Sequence, residues 1–122
     1  MIDLLKFDFC DIEIYEDYVV VTINEGVTVM PKHNTILINI VDTYFRHREF
    51  VYITHRVNSY AVDPSIYLET SKIKNLRVFV VVSKDYKAKA NAEVEMLFFN
   101  KPFKIFDDLQ EAKEWAEATL HA

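Results

Sequence analysis

The stretch RVFVVVS, Arg77 to Ser83, constrains this chain more than any other part of it. Val78, Phe79, Val80, Val81 and Val82 are apolar without the alternation of a strand that has one wet face. A strand apolar on both sides needs cover on both faces, which is the setting of a parallel sheet flanked by helices. The run therefore predicts a central strand in an α/β domain.

The remaining pattern agrees with that setting. Cys10, Ile12 and Ile14 alternate with Asp11 and Glu13, and Tyr18 to Ile23 is a second β-branched run beyond the acidic turn Glu16-Asp17, so a hairpin opens the chain. After Pro31, the residues Ile36, Leu37, Ile40, Val41, Tyr44 and Phe45 recur at helical spacing, while Asn34, Asn39 and Asp42 fall outside the stripe. EFVYIT, Glu49 to Thr54, reads as the third strand. Asp63 is placed to cap, and Pro64 to start, a short helix running to about Asn75. Asp85 or Ser83 caps the next helix, with Ala90, Val94, Leu97 and Phe98 as its expected buried stripe before Asn100 and Pro102 stop it. Phe103 to Phe106 is a short last strand. Asp108 and Glu111 then have capping-box spacing ahead of a helix whose apolar face is Leu109, Ala112, Trp115, Ala116 and Leu120. The order β-β-α-β-α-β-α-β-α predicts an α/β fold with a mixed five-stranded sheet and right-handed helical crossovers. With one glycine, Gly26, no repeat and no linker, residues 1–122 read as a single domain.

Composition narrows the function classes. A net charge of -5 argues against nucleic acid as a partner, because phosphate contacts dominate that affinity. The lone Cys10 excludes an internal disulfide and fits a reducing, cytoplasmic setting. The acidic N-terminal stretch lacks the pattern of an export signal, and no apolar run approaches the roughly 18 residues of a membrane helix, so a soluble protein without a membrane span is expected. Nine Phe and seven Tyr are more than a core of this size needs, which leaves aromatic surface for an interface or a pocket.

Catalytic and metal chemistry lacks a constellation in the sequence. His33, His47, His55 and His121 lie on different elements without i, i+4 pairing, so no metal site is expected. Cys10 alternates with Ile12 and Ile14 and reads as packing rather than as a nucleophile. Gly26 alone makes no phosphate-cradling loop, and no cofactor is implied. FRHREF puts Arg46 and Arg48 at a helix C-terminus, where cations are favoured, and Arg56 would join them in an anion-binding patch. The acidic pairs Glu16-Asp17, Asp107-Asp108 and Glu93 with Glu95 read as solvated turns and helix faces.

INEGVTV before the first helix, VDPSIYLE after the third strand, RVFVVVS, and the closing FKIFDDLQEAKEWAE together resemble the SpoIIAA-like family of the STAS fold, over nearly the whole length. The resemblance implies a non-enzymatic regulatory or protein-interaction module similar to anti-sigma-factor antagonists, acting on a protein partner or as a homodimer. In those proteins a phosphorylatable serine opens the helix after the third strand, and Ser65 in Asp63-Pro64-Ser65 stands at the matching place, with Pro64 and Ile66 where the family pattern has serine and glycine. The implied interface is the loop with Asn58, Ser59, Tyr60 and Asp63, together with the loop before the first helix. The family is also similar in fold to lipid-binding Sec14-type domains, which implies the alternative of a carrier or sensor for a small apolar or lipid-like ligand.

Overall fold

The computed structural model describes residues 1–122. Its strands are β1 (Asp3–Lys6), β2 (Cys10–Ile14), β3 (Tyr18–Ile23), β4 (Thr28–Val29), β5 (Phe50–His55), β6 (Ala61–Val62), β7 (Leu76–Val82) and β8 (Phe103–Phe106). Its helices are α1 (Asn34–Tyr44), α2 (Ser65–Thr70), α3 (Tyr86–Glu95) and α4 (Leu109–Leu120). No helix is long and apolar enough to cross a membrane.

The main sheet is mixed and has six strands in the order β1-β2-β3-β5-β7-β8, not the five expected. β1, β2 and β3 form an antiparallel meander, and β5, β7 and β8 continue it in parallel. The additional strand is β1, whose Asp3 pairs with Ile14 and whose Lys6 pairs with Asp11. Only its inner side is drawn into the core, where Leu5 packs and Asp3 accepts a 2.5 Å hydrogen bond from the Tyr44 hydroxyl on α1. A four-residue edge strand with Leu4 and Leu5 adjacent carries too little alternation to be read from sequence. A separate two-stranded parallel sheet, β4 with β6, joins the loop before α1 to the loop after β5.

β7 lies between β5 and β8 and is buried on both faces, as its apolar run requires. Phe79 and Val81 face the layer made by α1, α2 and the segment ending α3, whereas Val78, Val80 and Val82 face α4. The first layer holds the larger core, with Leu37, Ile40 and Phe45 of the α1 stripe and a cluster of Tyr67, Phe79, Phe99 and Phe103 rings. On the second face α4 packs through Ala112 and Ala116, flanked by Leu109, Trp115 and Leu120. The small alanines let this single helix sit close to the sheet.

Two helices differ from expectation. α2 ends at Thr70 rather than near Asn75, because the Thr70 and Ser71 hydroxyls turn back to donate to the carbonyls of Ile66 and Leu68. Beyond it the connection to β7 is held by single turns, with Lys72 donating to Glu69, Ile73 to Thr70 and Leu76 to Ile73, and by side chains, the Lys101 amine donating to the carbonyls of Ile73 and Leu76 and the Asn75 amide to that of Phe45. α3 is capped by Asp85, whose carboxylate accepts from the Ala88 N–H at 2.9 Å, but it is rotated away from the stripe the sequence predicts. Ala92, Glu95 and Phe99 turn inward, while Val94, Leu97 and Phe98 are exposed and Ala90 is only half-buried. Asn34, assigned to the polar side of α1, is also buried, with its side-chain amide paired to the Thr70 hydroxyl at 3.0 Å.

The N-terminus of α4 follows the expected cap: Asp108 accepts from the Glu111 N–H at 3.0 Å. Asp108→Ala should lower the unfolding free energy by about 1 kcal/mol, because it removes the acceptor for an otherwise unpaired helix N–H. Urea denaturation with an unchanged slope is the check.

Candidate functional site

Arg56 is the first residue beyond β5, and its N–H donates to the Val82 carbonyl at 2.9 Å, which anchors it at the carboxyl ends of the parallel strands. Its side chain folds back into the layer between the sheet and the helices, leaving only 6% of its surface exposed. A charge removed from water to this degree requires a partner. Glu95 supplies it from α3, with a side chain only 12% exposed. The pair is bidentate: Nη1 donates to Oε2 at 3.1 Å and Nη2 donates to Oε1. The Tyr67 hydroxyl joins both, accepting from Nη2 at 3.2 Å and donating to Glu95 Oε1.

Two further side chains complete this cluster. The guanidinium lies 5.5 Å from the centre of the Tyr60 ring, and the Tyr60 hydroxyl is 3.2 Å from Thr54 Oγ1. Burial opposes the charge on Arg56, but the hydrogen bond to Glu95 and the electronegative neighbours outweigh it, so its pKa is raised. Burial also raises the pKa values of Tyr67, Tyr60 and Tyr52, which keeps these phenols protonated as donors.

A cavity of about 60 Å³ adjoins the cluster between the sheet and helices α1 and α2. Tyr52, Thr54, Arg56 and Tyr60 line its polar part, and His33 with Phe9 and Val62 line its outer part. His33 stacks on Phe9 with ring centres 4.3 Å apart and accepts from the Met30 N–H through Nδ1 at 2.9 Å. On the solvent side of Arg56 and Glu95, a groove of about 530 Å³ separates the loop from Val57 to Val62 from Lys87, Asn91 and Val94 of α3.

The residues singled out from sequence are distributed unevenly around this centre. Asn58, Ser59 and Tyr60 form one wall of the groove, and the loop is fixed: Asn58 donates to the Ile23 carbonyl at 2.9 Å, and the Ser59 carbonyl accepts from Gly26 at 2.8 Å. Gly26 has φ 78°, a conformation that a side chain disfavours, so this turn depends on its only glycine. Asp63 accepts from the N–H and the hydroxyl of Ser65 at 3.1 and 2.8 Å, so Ser65 is an exposed residue in the first turn of α2. Arg46, Arg48 and Arg56 do not form one patch. Arg46 and Arg48 precede β5 and Arg56 follows it, which separates them by roughly the 20 Å length of a six-residue strand. Arg48 instead donates to the Tyr44 carbonyl at 3.2 Å and covers the Phe45 ring. Cys10 is buried in the larger core, and burial with the adjacent Asp11 pushes its thiol up to about 12, far from a neutral-pH nucleophile.

Sequence reasoning missed Glu95 and Tyr67. In the sequence Glu95 pairs with Glu93 as a solvated helix face, although Ala92, Glu95 and Phe99 share one side at spacings of three and four. That side competes with the more apolar Val94, Leu97 and Phe98, and only the partner Arg56, distant in sequence, decides between them. No protein-family model matches the chain, and comparison with curated proteins and with solved structures gives no significant match. The functional argument therefore rests on geometry.

Glu95→Ala should destabilise the protein by about 3–5 kcal/mol in urea denaturation, because it strands a buried guanidinium, whereas Arg56→Met with Glu95→Leu should recover most of that loss. The His33 imidazole is held below its usual 6.5 by burial and by Lys32. The folded chain then binds fewer protons than the unfolded chain as pH falls, so the contribution of the neutral ring is complete above about pH 6.5 and is lost below the depressed value. Met30 amide exchange, corrected for its intrinsic rate, should accelerate at pH 5 in the native protein and show no such step in a His33→Phe variant.

Proposed function

We propose that this chain is a STAS-like interaction module, of the kind the SpoIIAA-like resemblance implies, that acts by docking a protein partner rather than by catalysis. One observation carries the reading: α3 and the turn that follows it, Met96–Phe98, leave apolar side chains facing outward. Tyr86 is 84%, Leu97 82% and Val94 58% exposed, with Phe98 beside them. Single exposed apolar residues are ordinary, but a row recurring at helical spacing on one face is the form of a docking surface. The groove between this helix and the loop with Asn58, Ser59 and Tyr60 extends that surface across the interface loop expected from sequence.

The alternative, a carrier of a lipid-like molecule, has less support from size. The cavity of about 60 Å³ is well below the roughly 300–1,000 Å³ of sites that hold drug-sized ligands. A phosphoserine switch at Ser65 would also have to act by disruption: phosphate would set about -1.5 to -2 charges against the Asp63 carboxylate that now accepts from that hydroxyl.

A photo-crosslinking residue at Leu97, expressed in the source cells, tests the reading against the same residue at the exposed Lys74 on another part of the surface. Crosslinks are expected from Leu97, to one defined protein or to a second copy of the chain. Yields no higher than at Lys74 would remove the reading.

A further inference from the structure

Two pairs of exposed side chains on α3 share one midpoint, Ala90. Tyr86 and Val94 stand four residues before and after it, within about 40° of it around the helix axis. Lys87 and Glu93 stand three residues before and after it, about 60° to either side, and so flank the apolar row. Leu97 continues that row in the turn after the helix. Neither Lys87 nor Glu93 takes part in an ion pair within the chain, whereas the neighbouring Lys89 is held by Asp107 at 2.6 Å.

Such spacing is self-complementary. When two copies of a helix lie antiparallel across a two-fold axis at Ala90, each residue before Ala90 comes level with the residue equally far beyond it in the other copy. Tyr86 then meets the partner's Val94 and Lys87 meets the partner's Glu93, and each meeting occurs twice. We propose that the occupant of the α3 face is a second copy of this chain, packed antiparallel through Tyr86, Ala90 and Val94 and held in register by two Lys87–Glu93 pairs. The inference rests on the docking face proposed above and names what covers it.

Charge selects the direction. A parallel pair would set Lys87 level with the partner's Lys87 and Glu93 level with the partner's Glu93, like against like, whereas the antiparallel pair opposes unlike charges at both ends. The small side chain of Ala90 at the crossing point lets the helix axes approach to the lower part of the roughly 8–10 Å range, which brings the flanking charges within reach of each other. Little reordering is needed, because Ala92 and Glu95 stay buried on the opposite side of α3 and Glu95 remains held by Arg56. Length sets the strength. Ten residues of helix span about 15 Å, a smaller contact than the roughly 800 Å² per partner of a standard interface, so the dimer belongs to the weak, reversible class.

Sedimentation velocity of the full chain from about 1 µM to about 1 mM, with charge-reversed variants alongside, tests the proposal. The wild-type chain should pass from monomer to dimer with a dissociation constant on the order of 10–100 µM. Lys87→Glu and Glu93→Lys change exposed side chains that have no ion-pair partner in the chain, and each sets like charges against each other twice, so each variant alone should dimerise roughly tenfold more weakly or worse. An equimolar mixture of the two variants should recover the wild-type affinity, because their heterodimer restores two opposite-charge pairs. A wild-type chain that stays monomeric throughout, single variants that dimerise as the wild type does, or a mixture no tighter than its components would each overturn the proposal. A monomeric wild type that still crosslinks from Leu97 to one other protein would overturn the second copy as occupant and leave the docking face standing.

Discussion

The rest of this structure depends on the decision to bury Arg56. β5 ends against the Val82 carbonyl, and the next side chain has two ways to go: out to solvent beyond the strand ends, or back beneath the helices. It goes back, and several features follow. The guanidinium requires a carboxylate, so α3 presents Glu95; it requires further acceptors, so α2 presents the Tyr67 hydroxyl; and its face is covered by the Tyr60 ring. Three separate segments are thereby held to one point, and the helical layer acquires a polar centre in an otherwise apolar core.

Such a centre is not the most economical way to stabilise a layer. A buried ion pair recovers its desolvation only through good geometry and complete hydrogen bonding, and hydrophobic residues of similar volume often serve as well or better. Its contribution here is orientation. The fork of Arg56 accepts one carboxylate geometry, and the Tyr67 hydroxyl must reach the same Oε1, so the rotation of α3 about its axis and the position of α2 are fixed together. Leucines at these positions would fill the space but would permit the layer to slide. One nitrogen of this network, Nε, has no hydrogen-bond partner.

Much of the framework was legible in the sequence, and the reason is local. β7 announces itself by an apolar run that only cover on both faces explains, α4 by the Asp108 cap and its Ala112 and Ala116 stripe, and the β2–β3 hairpin by alternation around Glu16-Asp17. The features that were not legible are those decided by partners far along the chain. β1 is a strand because β2 offers it an edge and Tyr44 holds Asp3. α2 stops early because of Thr70, Ser71 and the distant Lys101. Glu95 is buried because of a residue on a different element, and nothing within LFF or AEVE signals it. The interface loop was legible as a place, since Asn58, Ser59 and Tyr60 do bound the groove, whereas the cluster beneath it was not.

The misread rotation of α3 bears directly on function. A helix and following turn with Val94, Leu97 and Phe98 on one side would ordinarily turn that side inward, because burying each of these side chains fully is worth about 1.5–3 kcal/mol. In this chain Glu95 occupies the inward position, held by Arg56, and the apolar side faces solvent with Tyr86 at its start. The favourable burial energy of that face is thus not used within the chain. A partner that covers it would gain what the domain's own packing forgoes, and would do so on a helix whose orientation is already set, so little further ordering is needed on this side of the interface. The buried pair and the exposed apolar row are in this sense a single arrangement, the first determining that the second is available.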